Sequence, residues 1–222
     1  MERTLRYAGL SSAMTDLALM FKGAAAQIRA EHQRLSALDC VAGDGDHGST
    51  MLRVVEQLEQ AAGADPREFL RDAGWKIMGV DGGASSSLLG TFFTGMADMP
   101  GSGETLDCAE LAAAFEYGLA AVRRQTKAQP GDKTMIDALV PAVAAFGAGK
   151  TVLNGLRQAA DAARTGAENT RNLAAKYGRA KYLGDKTLGH PDPGAVSIAL
   201  LFEGFYRGLA ESKGETGNAG RG

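Results

Sequence analysis

The chain has 222 residues, 45% of them apolar, which suits one compact domain with a substantial core. A formal charge of -2 and a pI of about 6.0 give no electrostatic footprint for nucleic acid or an anionic membrane, so any anion site must be local. The two cysteines, Cys40 and Cys108, have neither C-x-x-C nor zinc-type spacing, so they suggest neither a disulfide scaffold nor a thiolate metal site and read as reduced thiols.

Glu2, Arg3 and Arg6 interrupt the first seven residues with charge, against the apolar run of a signal peptide. No stretch reaches the roughly 18 apolar residues of a membrane span, so the expected location is the cytoplasm. From there apolar residues recur at helical spacing. Leu17, Met20, Phe21, Ala24 and Ile28 form one stripe, and Met51, Val54, Val55 and Leu58 a second. Asp65-Pro66-Arg67-Glu68 offers an N-cap aspartate, a proline in the first turn and a glutamate at the third position. Residues 82–97 are apolar but lined with Gly, Ala and Ser, a helix that lets a neighbour or ligand approach closely. Asp107 and Glu110 repeat the capping pattern before Leu111, Phe115, Leu119 and Val122.

Met135, Leu139, Val143 and Phe146 predict a helix kinked at Pro141, and an alanine-rich helix should run from Val152 to about Tyr177. Asp192-Pro193 opens the last helix, with a stripe of Val196, Ala199, Leu200 and Tyr206. About eight helices and no convincing strand make this an all-α domain over residues 1–212, followed by a polar, disordered tail over 213–222. Gly-Asp-Lys-Thr occurs at 131–134 and at 184–187 without matching flanks, which reads as chance. The 30 glycines gather in the joints 43–48, 79–83, 101–103 and 184–194, where function is expected.

The joint Gly43-Asp-Gly-Asp-His-Gly48 has the glycines of a dinucleotide-binding loop but carboxylates between them. A dinucleotide fingerprint needs a strand before it and a βαβ unit around it, and helical stripes flank this one on both sides. A P-loop would end in Gly-Lys-Ser/Thr, whereas this loop ends Gly48-Ser49-Thr50. A calcium loop starting at Asp44 would place Gly48 and Val55 where it needs an acceptor and a glutamate. What remains is Asp39, Asp44 and Asp46 close together, hard oxygen donors suited to Mg²⁺ and, through it, to phosphate. A helix starting at about Ser49 would aim its free N–H groups the same way. His47 fits a nucleotide contact, an orienting residue or a helix-end hydrogen bonder.

Three further clusters sit in glycine-rich joints: Gly82-Gly83-Ala84-Ser85-Ser86-Ser87, Lys127 to Met135, and Arg179 to Gly194. The lysines of the second read equally as solvated. The third supplies Arg179, Lys181 and Lys186, the kind of cations that phosphoryl transfer uses to neutralise charge.

Taken in order, Leu38-Asp39, Gly43 to Gly48, Gly82 to Ser85, Gly90 to Phe93, Pro130 to Met135, Gly178 to Gly184 and Gly189 to Gly194 resemble the nucleotide-binding L subunits of dihydroxyacetone kinases. The resemblance covers nearly the whole chain. It implies an all-α barrel of eight antiparallel helices with the nucleotide in the loops at one end. It implies two Mg²⁺ ions held by Asp39, Asp44 and Asp46, and ADP or ATP contacted by His47, Gly48, Ser49, Thr50, Ala84, Ser85, Thr126, Met135, Arg179, Asp192, Pro193 and Gly194. Arg179 would neutralise the transition state. The acceptor would be held by a separate K subunit, and a phosphocarrier M subunit and a homodimer are compatible with the pattern. Pro191, Thr50 and Thr126 depart from common family residues. Thr50 is more like the ATP-dependent members, so the donor stands between free ATP and a phosphocarrier. Rival readings are a kinase subunit for another acceptor, a tetrulose or an acyl group, and a nucleotide-loaded regulatory docking module.

Overall fold

The computed structural model of the chain describes residues 11–100 and 106–214. The glycines at 101–103 and nearly all of the expected tail lie outside them. The described residues contain eight α-helices and no strand: α1 Ser12–Asp39, α2 His47–Glu59, α3 Pro66–Met78, α4 Gly83–Ala97, α5 Cys108–Gln125, α6 Ile136–Gly147, α7 Val152–Asn169 and α8 Pro193–Ser212. None of these helices is long and apolar enough to cross a membrane. Each packs on its sequence neighbour, and α8 returns to pack on α1, closing a ring.

The caps written in the sequence are made. Asp65 accepts from Glu68 N and Asp107 forms the full capping box with Glu110, fixing the starts of α3 and α5. Inside the ring all eight phenylalanines of the sequence join one connected network of ring contacts. Phe115 lies at its middle, against Phe92, Phe146 and Phe202 at centroid distances of 6.1, 4.9 and 5.3 Å. Such rings bury large apolar areas and supply much of the core's stabilisation.

Small residues set how closely the helices approach. In α4, Gly90 faces Gly74 of α3 and Gly95 faces Gly118 of α5, the close approach that its composition predicts. At the seam closing the ring, a Cβ on Gly204 of α8 would lie 2.3 Å from Ala24 Cα and 2.6 Å from Gly23 C of α1. Backbone on both sides cannot yield locally. Gly204→Ala is therefore expected to cost about 3 kcal/mol by overpacking and to lower the melting temperature by roughly 6–12 °C in a thermal unfolding scan.

Three expectations need correction. The alanine-rich helix α7 stops at Asn169 rather than near Tyr177, because Thr170 turns the chain aside: its hydroxyl donates to Ala167 O and accepts from Asp192 N at 2.8 Å. The helix after the aspartate loop begins at His47, a turn's fraction earlier than Ser49. In α8 the fully buried line is Ile198, Leu201, Phe202, Phe205 and Leu209, with Ala199, Leu200 and Tyr206 only partly covered. Packed between α1 and α7, this helix buries a face too broad for one stripe to describe. Pro141 does lie inside α6, where it leaves Asp137 O without its helical donor. Gly166 of α7 closes on that oxygen, and a Cβ there would meet it at 2.2 Å.

Candidate functional site

Because neighbouring helices run antiparallel, the starts of α2, α4, α6 and α8 gather at one end of the ring. Four positive helix ends face this end together, an environment that favours anions. The aspartate loop lies among them, joining the end of α1 to the start of α2.

Asp39 is the last residue of α1, and its Oδ2 accepts from His47 N at 3.3 Å, tying the two ends of the loop. The loop lets carboxylates crowd because of two glycines. A Cβ at Gly43 would fall 2.1 Å from Asp39 Oδ1, and Gly45 adopts φ +78. One oxygen from each of Asp39, Asp44 and Asp46 lies within 4.8 Å of the others. Asp46 occupies the N-cap position of α2 yet makes no side-chain cap bond. An ordinary capping aspartate spends its oxygens on the helix, as Asp192 does at α8 by accepting from Ala195 N at 2.7 Å. Asp46 keeps its oxygens for the cluster.

The electrostatics match this crowding. Desolvation, followed by the charges of Asp44 and Asp39, pushes the Asp46 carboxyl above the ordinary aspartate value. Asp44 is held below it, chiefly by a hydrogen bond from Arg179. The Arg179 guanidinium pairs directly with Asp44 Oδ2 from across the fold. A cation therefore already sits against the cluster. Three oxygen donors in this arrangement fit a hard divalent cation such as Mg²⁺.

The remaining predicted residues assemble around this centre to different degrees. Gly48 is buried where α2 crosses α1, Ser49 is exposed, and Thr50 is buried with its hydroxyl accepting from Arg53 Nη2 at 3.1 Å. Arg53 also donates to Asp81 O at 2.7 Å, and Gly82 packs on Thr50, so Ala84 and Ser85 at the start of α4 stand next to the start of α2. The His47 ring is 7% exposed, with Nε2 2.6 Å from Ser197 Oγ of α8, and burial lowers its proton affinity. The His47 ring thereby links the start of α2 to α8, whose first turn carries Pro193 and Gly194 after the Asp192 cap. Met135 is buried against Gly194, whose Cβ would come 3.5 Å from Met135 Cβ. Thr126 ends α5, and its hydroxyl accepts locally from Ala128 N at 3.1 Å. The carboxyl of Asp192 is pushed up to about 7, above all by burial.

Sequence reasoning missed two residues. Arg53 ties α2 to the loop before α4 through Asp81 O, and Lys133, read as one of a pair of solvated lysines, is 6% exposed. The signal for Lys133 was its place after Gly131-Asp132, in a turn held by the side chains of Asp132 and, downstream, Asp137.

The family model of the DAK2 domain matches residues 41–207. The chain belongs to the DAK2 family. It is 38% identical over 188 residues to the ADP-binding subunit DhaL of PEP-dependent dihydroxyacetone kinase 1 of Listeria innocua, covering 82% of this chain and 89% of that one. The L-erythrulose 1-kinase of Mycolicibacterium smegmatis is 38% identical over 190 residues, covering 80% of this chain and 33% of that one. Among solved structures, the dihydroxyacetone kinase from C. freundii in complex with AMP-PNP and Mg2+ superimposes with a TM-score of 0.67 at 31% identity, over 88% of this chain and 33% of that one. This DAK2 chain thus spans about a third of the solved kinase, and that third is the all-α ring described above.

Proposed function

We propose that the chain is the Mg-nucleotide-binding subunit of a dihydroxyacetone kinase, passing a phosphoryl group from bound nucleotide to dihydroxyacetone on a separate K subunit. The observation that carries this reading is the convergence of Asp39, Asp44 and Asp46 with Arg179 at the end of the ring where four helix starts point. In this reading the carboxylates hold two Mg²⁺ ions, and bound Mg²⁺ supplies charge neutralisation between the nucleotide oxygens. The N–H groups of Gly48 and Ser49, with Thr50, Ala84, Ser85, Met135 and Asp192 to Gly194, cradle the ADP or ATP, with Thr126 at the margin. Arg179, paired with Asp44 beside the cluster, would supply the charge that neutralises the transferring phosphoryl group. Phosphoryl transfer requires little covalent chemistry from the protein, so positioned cations suffice and no general base is needed in this chain.

Acceptor binding belongs to the partner. The segment carrying Arg179 exposes Tyr182 (80%), Leu183 and Leu188, an apolar rim beside the site that a docking K subunit would cover. The donor is proposed to be ATP exchanging freely, after the Thr50 departure; charging of retained ADP by a phosphocarrier M subunit is the competing route. Incubation with a K subunit, dihydroxyacetone and ATP, without phosphocarrier, should yield triose phosphate. Product only when a charged phosphocarrier is added would replace the ATP route, and none under either condition would sink the kinase reading. The relative that is an L-erythrulose 1-kinase favours one second reading, a tetrulose acceptor, which the same assay with erythrulose separates.

A further inference from the structure

The segment between α7 and α8 leaves the ring at Thr170, runs outward past Arg179 and Tyr182, and returns at His190. Its outer part is held by little. Two short 3-10 turns, Arg179–Tyr182 and Gly184–Thr187, bury only Thr187 between them. Its two limbs meet near the base, where Arg171 and Gly189 exchange hydrogen bonds and Ala175 N donates to Thr187 Oγ1. Lys176 adds an outer tie to Asp132 at 2.8 Å.

At the base one side chain gathers three separate points of the segment. Lys133 Nζ donates to Thr170 O at 2.8 Å, Thr187 O at 2.8 Å and His190 O at 2.6 Å. Those carbonyls stand at the exit, the returning limb and the re-entry of the loop. An ammonium has three donors, and all three are used here. The hook presenting Lys133 is itself rigid. Lys133 takes φ 59, and the buried carboxylate of Asp137 accepts from Gly131 N at 2.6 Å and Thr134 N at 2.8 Å on either side of it. Burial lowers the proton affinity of the amine, with the charges of Asp192 and Asp137 opposing that shift.

We propose that Lys133 is a positioning residue that clamps the 170–190 segment at its base and so sets where Arg179 stands against the aspartate cluster. This rests on the phosphoryl-transfer reading for the role of Arg179, while the clamping itself does not. A methionine there keeps the length and apolar stem but removes every donor to the three carbonyls. The open base then lets the limbs separate, and Arg179 samples positions away from the site. Metal and nucleotide still meet the aspartates and the starts of α2 and α4, which Lys133 does not touch, and Asp192 to Gly194 stay fixed at the start of α8 by the bonds of Asp192 with Thr170 Oγ1 and Ala195 N. A positioning defect therefore appears in turnover more than in binding.

The test compares the full-length wild type, Lys133→Met and Lys133→Gln, the last keeping two donors. Amide hydrogen exchange at Ala175, Leu183, Leu188 and Gly189 should speed up at least tenfold in Lys133→Met, with core amides of α1 and α5 unchanged. With a K subunit and dihydroxyacetone, kcat should fall at least tenfold, while KM for the nucleotide and Kd for Mg·ADP stay within threefold. Lys133→Gln should lie between the two, and it carries the test if the methionine variant does not fold. Segment amides as protected as in wild type, or kcat falling only as far as the folded fraction falls, would overturn the proposal. Should the wild type itself show no turnover, the kinase reading fails, and the exchange rates still decide whether Lys133 clamps the segment.

Discussion

Asp46→Ala is expected to lower phosphoryl transfer by on the order of 10³-fold while leaving the fold intact. A metal ion held by these carboxylates would supply several kcal/mol of charge stabilisation, and each 1.4 kcal/mol is about tenfold in rate. Asp46 makes no cap bond to α2, so its removal deprives the helix of nothing. Its carboxyl is held above the ordinary aspartate value by desolvation and by Asp44 and Asp39. The ionised group is thus disfavoured in the folded chain, and neutralising it relieves repulsion. The expected signature is an unchanged or slightly raised melting temperature in metal-free buffer, no stabilisation by Mg·ADP, and loss of product in a coupled assay. A large drop in melting temperature would instead make Asp46 a structural residue. The same upward shift has a pH consequence: protons compete with Mg²⁺ for this carboxylate more strongly than at an ordinary aspartate, so the apparent Mg²⁺ affinity should weaken as the pH is lowered into the acidic range.

Arg179→Ala should reduce kcat on the order of 10³-fold, within the range seen when a cation opposite the transferring phosphoryl group is removed. The nucleotide Kd should change only a few-fold, because helix starts and metal carry ground-state binding. Arg179→Lys should recover little, since a point charge cannot reproduce the planar fork. Arg179 pairs with Asp44 and lowers its proton affinity. Removing that competing cation should slightly tighten Mg²⁺ binding by titration calorimetry. Equal losses in kcat/KM and nucleotide affinity, with kcat preserved, would assign Arg179 to binding alone.

Much of the fold was legible because helices are dictated locally. Asp65, Asp107 and Asp192 start helices through bonds spanning two or three residues, and the stripes of α1, α2 and α5 became buried faces as their spacing predicts. The reading failed where distant partners intervene. Alanine propensity continues past Asn169, but Thr170 bonds Asp192, 22 residues on, and the helix ends. In α8 contact on two sides broadened the buried face beyond its apolar stripe.

The candidate site divides along the same line. Asp39, Asp44 and Asp46 are separated by so few residues, with Gly43 and Gly45 between them, that the chain alone keeps their oxygens together; this cluster and its suitability for a hard cation were determined by the sequence. Which helix starts surround it, that Arg179 reaches Asp44, that the His47 ring finds Ser197 150 residues away, and that Lys133 holds carbonyls 37 to 57 residues distant were decided only by closure of the ring. Short-range geometry follows from covalent reach and backbone preference. Long-range pairing follows from how eight apolar faces pack at once, with glycines such as Gly204 setting the distances, and no single stretch of sequence contains that information.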